Sequence, residues 1–391
     1  MTTERLYYYD SYLREFQAHV TEAAEGGRRV YLDRSGFYPT SGGQLHDLGT
    51  LGGIAVVEVI DEEDRVAHVL AGPLADVEIS GTVDWTRRYD LMQQHTGQHL
   101  LSAVLEELYG FATVSVHMGL ETSTVDVNAA AVSPEQLERA EERCAEIVAE
   151  ARPVRISFEE ASADLGLRKE SGRSGTLRII SIEGIDRSAC GGTHVQTTAE
   201  IGSILTGKVE KIRGTSRIEF VCGGRALRRA RNDARLLASI SRTLSMPAEQ
   251  CPEIVAGLVE KYKALEKERL RLAIEVARRE GRDLFAGTDA DADGLRRLTQ
   301  KGATDDAMRA RAQGFVEGGK AVFLAICEEP ASLLLAASAD SGIHAGDRMK
   351  AAVGRAGGRG GGNPALAQGS IPNSQALETV IAELGLCYPP N

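Results

Sequence analysis

Apolar and polar residues alternate in short runs over the first 85 positions of the chain. Residues 29–32 and 54–60 carry the β-branched and aromatic side chains that are typical of strands. The segment between them, residues 35–49, contains too much glycine and proline for a helix. This pattern predicts a β-rich, barrel-like module over residues 1–85.

The apolar residues change to a helical spacing after residue 85. Leucine and valine recur at three- and four-residue intervals between Leu101 and Leu108, which predicts a helix over residues 86–109. A second helix is predicted over residues 134–151. Strands are predicted at residues 154–158, 177–181, 202–209 and 216–222, the last two joined by a hairpin at Arg213-Gly214. We therefore expect an α+β core with an antiparallel sheet over residues 86–224.

Helix-forming residues dominate positions 225–285 and are interrupted once, at Met246-Pro247. Residues 260–272 combine many charges with a narrow apolar stripe, which is typical of an exposed connector or a short coiled coil rather than of a core. This region is therefore predicted to be a helical connector.

The last part of the chain, residues 286–391, is expected to be an α/β domain. Apolar runs at residues 321–326 and 332–337 predict buried strands, and residues 374–386 predict a closing helix. The predicted fold class is thus α+β multidomain, with a barrel-like module, an α+β core, a helical connector and a C-terminal α/β domain.

Charge is distributed unevenly along the chain. The formal net charge of −11 argues against nucleic-acid binding over the whole surface. Residues 208–235 nevertheless carry nine Lys or Arg against three acidic residues, a net of +6, which fits either a local nucleic-acid footprint or a solvated helix face. We find no apolar run after a basic start and no uncharged apolar stretch of about 18 residues, and the six cysteines are scattered. We therefore expect a cytoplasmic protein that spans no membrane.

Two short motifs carry the residues that bind transition metals. His95 and His99 are four residues apart on the predicted helix, so both rings project from one face and can reach one ion. Cys190 and His194 have the same spacing in a loop, where two glycines let the chain turn. Imidazole and thiolate ligands favour zinc over magnesium or calcium, which predicts one Zn²⁺ per chain. The alternative is a chance placement of unrelated polar residues.

The flanking residues add a resemblance to a known family. His95-Thr-Gly-Gln-His99 and Cys190-Gly-Gly-Thr-His194 resemble the paired metal motifs of the editing domain in alanyl-tRNA synthetases and in free-standing alanyl-tRNA editing proteins of the AlaX type. The loop at residues 37–49 and the strand at 216–221 resemble the segments before and after those motifs. Residues 357–368 resemble the glycine-rich signature of the C-terminal domain shared with DHH phosphoesterases. The chain is most similar to the long form, which keeps that domain.

The resemblance implies trans-editing, which is the ATP-independent hydrolysis of the ester in mischarged Ser-tRNA(Ala) or Gly-tRNA(Ala). No aminoacylation domain precedes residue 1, so we expect no activation of amino acids, and the absence of Asp-His-His counts against a phosphoesterase. The alternative is a tRNA-binding protein whose zinc site is purely structural. Four protein ligands would close a tetrahedral shell, so the pattern leaves open whether zinc is catalytic or only positions the substrate.

Five residues are candidates to act at the ester. The resemblance places Thr40 in the amino-acid pocket, where its hydroxyl would recognise serine, although it could also be an ordinary turn residue. Gly43 would let the backbone approach the ester, and Gln44 would orient a side chain there. His117 lies in a stretch expected to line the pocket and is a candidate general base, as is His46; either could instead be a surface histidine.

A larger group is predicted to contact tRNA. The basic segment supplies Lys211, Arg213 and Arg217, and the C-terminal glycine-rich run would bring backbone amides and charge to phosphates unless it is a flexible linker. Its candidate residues are Arg355, Arg359, Gly360, Gly361 and Gly362. A homodimer through the connector helix or the C-terminal domain is compatible with this pattern.

Overall fold

The computed structural model describes residues 2–161, 165–170, 172, 174–372 and 374–386. Contacts divide the chain into two compact units, residues 1–243 and 244–391. Both units combine helices with sheets, so the predicted mixed α+β class is confirmed. The finer division at residues 85, 224 and 285 stays a prediction.

Eight short strands occupy the N-terminal part of the first unit. In chain order they are β1 (Glu4–Arg5), β2 (Glu15–Ala24), β3 (Arg29–Leu32), β4 (Arg34–Ser35), β5 (Gly49–Leu51), β6 (Ile54–Glu62), β7 (Arg65–Leu70) and β8 (Glu78–Val83). Strands β1 and β4 form a small parallel pair, and the other six close into an antiparallel barrel in the order β2-β3-β7-β6-β5-β8. Alternate residues of β8 are buried, as the two-residue period of a strand requires. Phe16, Val30 and Leu51 belong to the barrel core.

Helix α1 (Trp85–Tyr109) follows the barrel and carries two of the predicted metal ligands. The Asp84 side chain caps its first turn by accepting a hydrogen bond from the backbone N–H of Arg87. At its other end Gly110 adopts a left-handed conformation with φ of 68°, which terminates the helix. Most residues between Leu91 and Leu105 are buried, so the polar side chains among them need partners inside the protein.

Two antiparallel sheets complete the first unit. Their strands and the intervening helix are β9 (Thr113–Met118), β10 (Ser123–Val127), α2 (Pro134–Ala149), β11 (Val154–Glu160), β12 (Thr176–Ile182), β13 (Asp186–Ala189), β14 (Ile204–Ile212) and β15 (Thr215–Cys222). One sheet has the order β14-β15-β10-β9 and the other the order β11-β12-β13. Apolar residues of α1, α2 and the larger sheet share one core. The hairpin predicted at Arg213-Gly214 joins β14 and β15.

Helix α3 (Gly223–Leu244) ends before the predicted break at Met246-Pro247, and α4 (Cys251–Ala286) begins after it. Apolar side chains on both helices are exposed, including Leu236, Leu258 and Leu265. An exposed helical segment is therefore confirmed for this region. Among the described residues, no helix is both long and apolar enough to cross a bilayer.

The second unit contains one five-stranded sheet. After α4 the elements are β16 (Arg296–Lys301), α5 (Asp306–Val316), β17 (Ala321–Cys327), β18 (Ser332–Ala337), α6 (Ala345–Arg355), β19 (Arg359–Gly362), β20 (Leu366–Ser370) and α7 (Leu377–Glu383). The strand order is β16-β17-β18-β20-β19, and only β16 and β17 run parallel. The two apolar runs predicted as buried strands are β17 and β18, which form the centre of this core.

Candidate metal centre

The four predicted ligands, His95, His99, Cys190 and His194, lie together in the first unit, and we call them the metal cluster. Their ligand atoms all lie within 4.8 Å of one another. Cys190 Sγ is 3.3 Å from His95 Nε2 and 3.4 Å from His194 Nε2. The three histidines are only 3–5% exposed. The structure therefore brings into one buried cluster two residues of a helix and two of a distant loop.

Each histidine of the metal cluster is held through its Nδ1 atom by a different kind of side chain. His95 Nδ1 lies 2.7 Å from the amide oxygen of Gln44, and His99 Nδ1 lies 2.7 Å from a carboxylate oxygen of Asp186. His194 Nδ1 lies 3.1 Å from the hydroxyl of Thr96. Because these contacts occupy Nδ1, the Nε2 atoms are left to bind an ion, and the partner groups fix the orientation of each ring.

The electrostatic surroundings favour the metal-binding forms of Cys190 and His194. Burial alone would raise the pKa of the Cys190 thiol, but His95 and His194 bring it well below its usual range. Burial and the neighbouring His95 lower the pKa of His194 to about 3. Burial opposes protonation of His99, yet its hydrogen bond to Asp186 raises the pKa of that ring to about 9, so His99 must release a proton when it binds an ion. A thiolate beside imidazoles is a donor set that suits zinc.

The distances also suit zinc. A tetrahedral ion with Zn–N bonds of about 2.0–2.1 Å and a Zn–S bond of about 2.3 Å separates its ligand atoms by roughly 3.3–3.6 Å. The contacts of Cys190 Sγ with the two imidazole nitrogens, 3.3 and 3.4 Å, fall in this range, and no pair of ligand atoms is more than 4.8 Å apart. The metal cluster therefore fits a zinc ion in both chemistry and spacing.

The glycines of the Cys190 loop serve a purpose other than the turn we predicted. Neither Gly191 nor Gly192 has a positive φ. A Cβ atom on Gly192 would lie 2.1 Å from the His95 ring, whereas one on Gly191 would make an ordinary contact of 3.4 Å with the Tyr8 hydroxyl. Gly192 is therefore required by the close approach of His95, and Gly191 is not.

A buried ion pair anchors the loop that carries Gln44. Arg88 on α1 binds Asp47, and both side chains are fully buried. The same guanidinium donates to the carbonyl oxygens of Ser11 and Gly36. Gly42 and Gly43 have φ of 54° and 83° and form the tight turn that directs Gln44 toward the metal cluster.

The metal cluster borders a cavity of about 860 Å³. His95, His99 and Cys190 line it, together with Gly42 of the loop at residues 37–49 and Arg178 of β12. A cavity of this size accommodates a small organic ligand or the end of a larger one. The metal cluster is therefore buried in the protein but accessible from one side.

The residues predicted to act at the ester occupy different positions. Gln44 is fully buried and binds His95, so it orients a ligand of the metal cluster. Gly43 packs against β9, where a Cβ would lie 2.7 Å from the Val116 carbonyl oxygen. Thr40 and His117 are both exposed, and neither lines the cavity. The Thr40 hydroxyl lies 2.9 Å from His46 Nδ1.

The predicted tRNA contacts in the first unit are on or near the hairpin of β14 and β15. Lys211 and Arg213 are exposed. Arg217 is partly exposed and forms a two-bond ion pair with Asp126, at 2.7 and 2.8 Å. Two of these three side chains are therefore available at the surface, and the third already has a carboxylate partner.

The glycine-rich run of the second unit is structured. Residues Arg359–Gly362 form the edge strand β19, which rules out the flexible-linker alternative. A Cβ on Gly360 would lie 2.7 Å from a methyl group of Val353, so small residues let α6 pack against this edge. The first N–H groups of α6 donate to the carbonyl oxygens of Asn363 and Pro364. Arg359 and Arg355 are exposed, the latter 3.4 Å from Glu383.

Sequence reasoning missed two residues beside the metal cluster. Asp186 binds His99, and Arg178 donates to the carbonyl oxygens of Cys190 and Gly192. A signal for Asp186 was present, because Asp186, Ser188 and Cys190 alternate along one strand and so share a face. Arg178 sits in an apolar run and gave no comparable signal.

A buried cluster of three imidazoles and one thiolate at the side of a cavity defines the chain as a candidate zinc protein. Two family models match it. The first, described as the threonyl and alanyl tRNA synthetase second additional domain, matches residues 177–219 and includes Cys190 and His194. The second, described as the DHHA1 domain, matches residues 296–387 in the second unit.

Curated proteins similar to this chain have related descriptions. The alanine–tRNA ligase of Methanobrevibacter smithii is 29% identical over 97% of the chain and 45% of its own length. The alanyl-tRNA editing protein Aarsd1-A of Xenopus laevis is 32% identical over 64% of the chain and 63% of its length. The alanyl-tRNA editing protein AlaX-L of Pyrococcus horikoshii is 36% identical over 57% of the chain and 59% of its length. The chain thus spans between about half and two thirds of these relatives.

Both matched domains and the relatives agree with the order of motifs in the sequence. The chain is similar to AlaX-type alanyl-tRNA editing proteins and to part of the alanine–tRNA ligases.

Proposed function

We propose that this protein is a trans-editing hydrolase that removes serine from mischarged Ser-tRNA(Ala), with Gly-tRNA(Ala) as a second candidate substrate. The observation that carries the proposal is the metal cluster, three of whose members line a cavity large enough for an aminoacylated RNA end. The names of relatives that are alanyl-tRNA editing proteins support the same activity. Ester hydrolysis needs no ATP, and the proposed location is the cytoplasm.

His95, His99, Cys190 and His194 would hold one zinc ion, which supplies Lewis acidity and a fixed shape to the pocket. Because these four residues complete a tetrahedral shell, positioning of the substrate is the role we favour. Gln44, Asp186 and Thr96 contribute by fixing the three imidazole rings.

The water that attacks the ester needs a base. His46 and His117 were candidates, but neither lines the cavity. We therefore propose that the ribose hydroxyl next to the ester activates the water, and that the protein's part is to bind and orient the ester. His117 then serves at most at the edge of the site.

Selectivity for serine requires a polar group that the serine hydroxyl satisfies and alanine leaves without a partner. Thr40 remains the proposed group, although its hydroxyl is exposed and contacts His46. Ser41, the next residue, does line the cavity. Thr40→Val and Ser41→Ala should therefore be compared. The substitution that removes the serine-recognising hydroxyl should lower the rate of hydrolysis of the serine ester and leave the zinc content unchanged.

The proposed RNA partner is tRNA(Ala), bound through Lys211, Arg213 and Arg217 in the first unit and through Arg355, Arg359 and Gly360–Gly362 in the second. Exposed apolar residues on α4 support a homodimer through the connector helix as a further proposal. The proposed functional parts keep the predicted boundaries, residues 1–85, 86–224, 225–285 and 286–391.

The alternative function is binding of tRNA without hydrolysis, in which a zinc ion held by the four residues would be purely structural. Deacylation of Ser-tRNA(Ala), Gly-tRNA(Ala) and Ala-tRNA(Ala) by the purified full chain separates the two. We expect release of serine with the alanine ester spared. A folded, zinc-loaded protein that binds tRNA but hydrolyses none of the three esters would establish the binding function instead.

A further inference from the structure

Three residues form a row across one face of the sheet β11-β12-β13. Phe158 on β11 pairs directly with Arg178 on β12. The backbone N–H of Cys190 donates to the carbonyl oxygen of Arg178 at 3.0 Å and so extends the pairing beyond β13. Residues directly opposite each other project from the same face of a sheet. All three residues line the cavity, so the row leads from the metal cluster across the cavity wall to Phe158.

The middle residue of this row, Arg178, is held in place by three hydrogen bonds and keeps one nitrogen available to donate another. Its Nε donates to the carbonyl oxygen of Tyr8 at 2.9 Å, and its Nη1 donates to those of Cys190 and Gly192 at 2.7 and 2.9 Å. The remaining nitrogen, Nη2, is buried and has no hydrogen-bond partner among the residues that the structure describes. Only 7% of the side chain is exposed, and its polar contacts are to carbonyl oxygens. An unpartnered buried donor is costly unless a ligand completes it.

The outer end of the row is an exposed aromatic pair. Tyr9 and Phe158 lie with ring centroids 5.2 Å apart and planes tilted by 36°. Tyr9 is 65% exposed and Phe158 is 42% exposed, and both line the cavity. Tyr38, which also lines it, is buried, and Tyr8 is half-buried against the Arg178 guanidinium at 5.4 Å. Of these four aromatic rings, only Tyr9 and Phe158 are open to a planar ligand.

We propose that Tyr9 and Phe158 form a stacking platform for the unpaired 3′-terminal nucleobase of an RNA, and that Arg178 Nη2 donates to an oxygen of the same nucleotide. This inference rests on the proposed function, which puts the ester of that nucleotide at the metal cluster. Exposed aromatic rings next to a cation are the combination that binds single-stranded nucleic acid. Arg178, the cation between Phe158 and the metal cluster, complements the charge of a sugar–phosphate. It would not complement an apolar surface of a protein partner.

The platform can be tested with uncharged RNA. The probe is an acceptor-stem hairpin that ends in single-stranded 3′-CCA, and its comparison is the same hairpin with an abasic last nucleotide. Stacking contributes about 1–3 kcal/mol per base, so the abasic end should weaken binding to the wild-type chain by about 5- to 150-fold. Tyr9→Ala and Phe158→Ala should reduce or abolish that preference, and Tyr9→Phe should retain it.

Leu120→Ala is the control, because Leu120 is 68% exposed in the same unit and does not line the cavity. It should keep the full preference for the complete end. Arg178→Gln should weaken binding of both hairpins with zinc content unchanged. Loss of zinc without weaker RNA binding would show that Arg178 only supports the loop.

The outcomes separate this inference from the proposed function. Equal binding of the two hairpins by the wild-type chain, or an unchanged preference in both alanine variants, would overturn the platform even if the serine ester is hydrolysed. A base-dependent preference that is lost in those variants would establish the platform even if no ester is hydrolysed. Binding of a protein partner at Tyr9 and Phe158 with no RNA preference would also overturn it.

Discussion

Buried histidines occur in two regions of the first unit, and their surroundings differ in one decisive way. In the barrel, His68 Nε2 lies 2.7 Å from the Ser35 hydroxyl and Nδ1 lies 3.4 Å from the Val30 carbonyl oxygen, so the protein contacts both ring nitrogens. In the metal cluster, the side chains of Gln44, Asp186 and Thr96 occupy only Nδ1.

The comparison shows how a structural histidine differs from a ligand. Burial lowers the pKa of His68 to about 4, so the barrel holds one neutral ring that needs nothing further. The metal cluster instead gathers three rings and a thiolate whose ligand atoms face one another at the side of a cavity. Burial alone therefore does not identify a site, whereas ligand atoms of several side chains that converge on one point do.

The largest effect is expected when Cys190 of the metal cluster is replaced. Cys190→Ala removes a ligand, so we expect loss of bound zinc and a fall in the hydrolysis of Ser-tRNA(Ala) of more than about 100-fold, beyond the usual effect of altering a residue that only supports a ligand. Metal content and single-turnover deacylation measure this. The barrel counterpart, His68→Gln, should keep both zinc and activity; equal losses in the two variants would mean that the histidines do not differ as described.

The next effect concerns the barrel alone. The folded-state pKa of His68 is depressed from 6.5 to about 4, so the unfolded chain takes up the proton first as the pH falls. His68 therefore contributes about 3 kcal/mol to the free energy of unfolding above pH 6.5, and this contribution is lost as the pH falls toward 4. Urea unfolding of the first unit at several pH values, in wild type and His68→Gln, should show this loss in wild type only. Parallel pH curves for the two proteins would contradict it.

A smaller effect is expected at the carboxylate behind His99. Asp186→Asn keeps the shape of the side chain but removes its charge, so zinc affinity should fall by about 10- to 100-fold. Competition with a chromophoric chelator measures the affinity. Asp126→Asn is the control, since Asp126 is also a largely buried carboxylate but pairs with Arg217 away from the metal cluster. An unchanged zinc affinity in Asp186→Asn would show that the contact to His99 has no role in metal binding.

The smallest effect is expected from alanine substitutions of the two glycines in the Cys190 loop. Gly192→Ala places a Cβ against the His95 ring, which should cost about 1–3 kcal/mol and weaken zinc binding. Gly191→Ala should be nearly neutral, because its Cβ meets only the Tyr8 hydroxyl at an ordinary distance. Zinc titration of both variants tests the difference. If both glycines tolerate alanine equally, space around His95 is not what Gly192 provides.

Much of the architecture was predictable because local patterns agreed with the fold. The helix that carries His95 and His99, the hairpin at Arg213-Gly214 and the buried strands β17 and β18 all follow from periodicity or turn residues. The metal cluster was predictable because spacing and residue type are properties of short motifs. Its partner loop could be placed because Cys190 and His194 shared the same spacing as the two histidines.

The rest depends on contacts between distant residues. Gln44 and His95 are 51 positions apart, and Asp186 and His99 are 87 apart, so neither pairing leaves a local signal. The role of Gly192 was missed for the same reason, because the space it leaves belongs to a ring on another element. The exposure of Thr40 likewise depends on how its loop packs, which its sequence does not reveal.

The most direct test of this account is to measure zinc content and Ser-tRNA(Ala) deacylation on one sample of the purified chain, before and after a strong chelator. We predict about one zinc per chain, hydrolysis of the serine ester with the alanine ester spared, and loss of hydrolysis on removal of the metal that returns when zinc is added. Full hydrolysis by a folded protein that contains no metal would contradict the role assigned to the metal cluster.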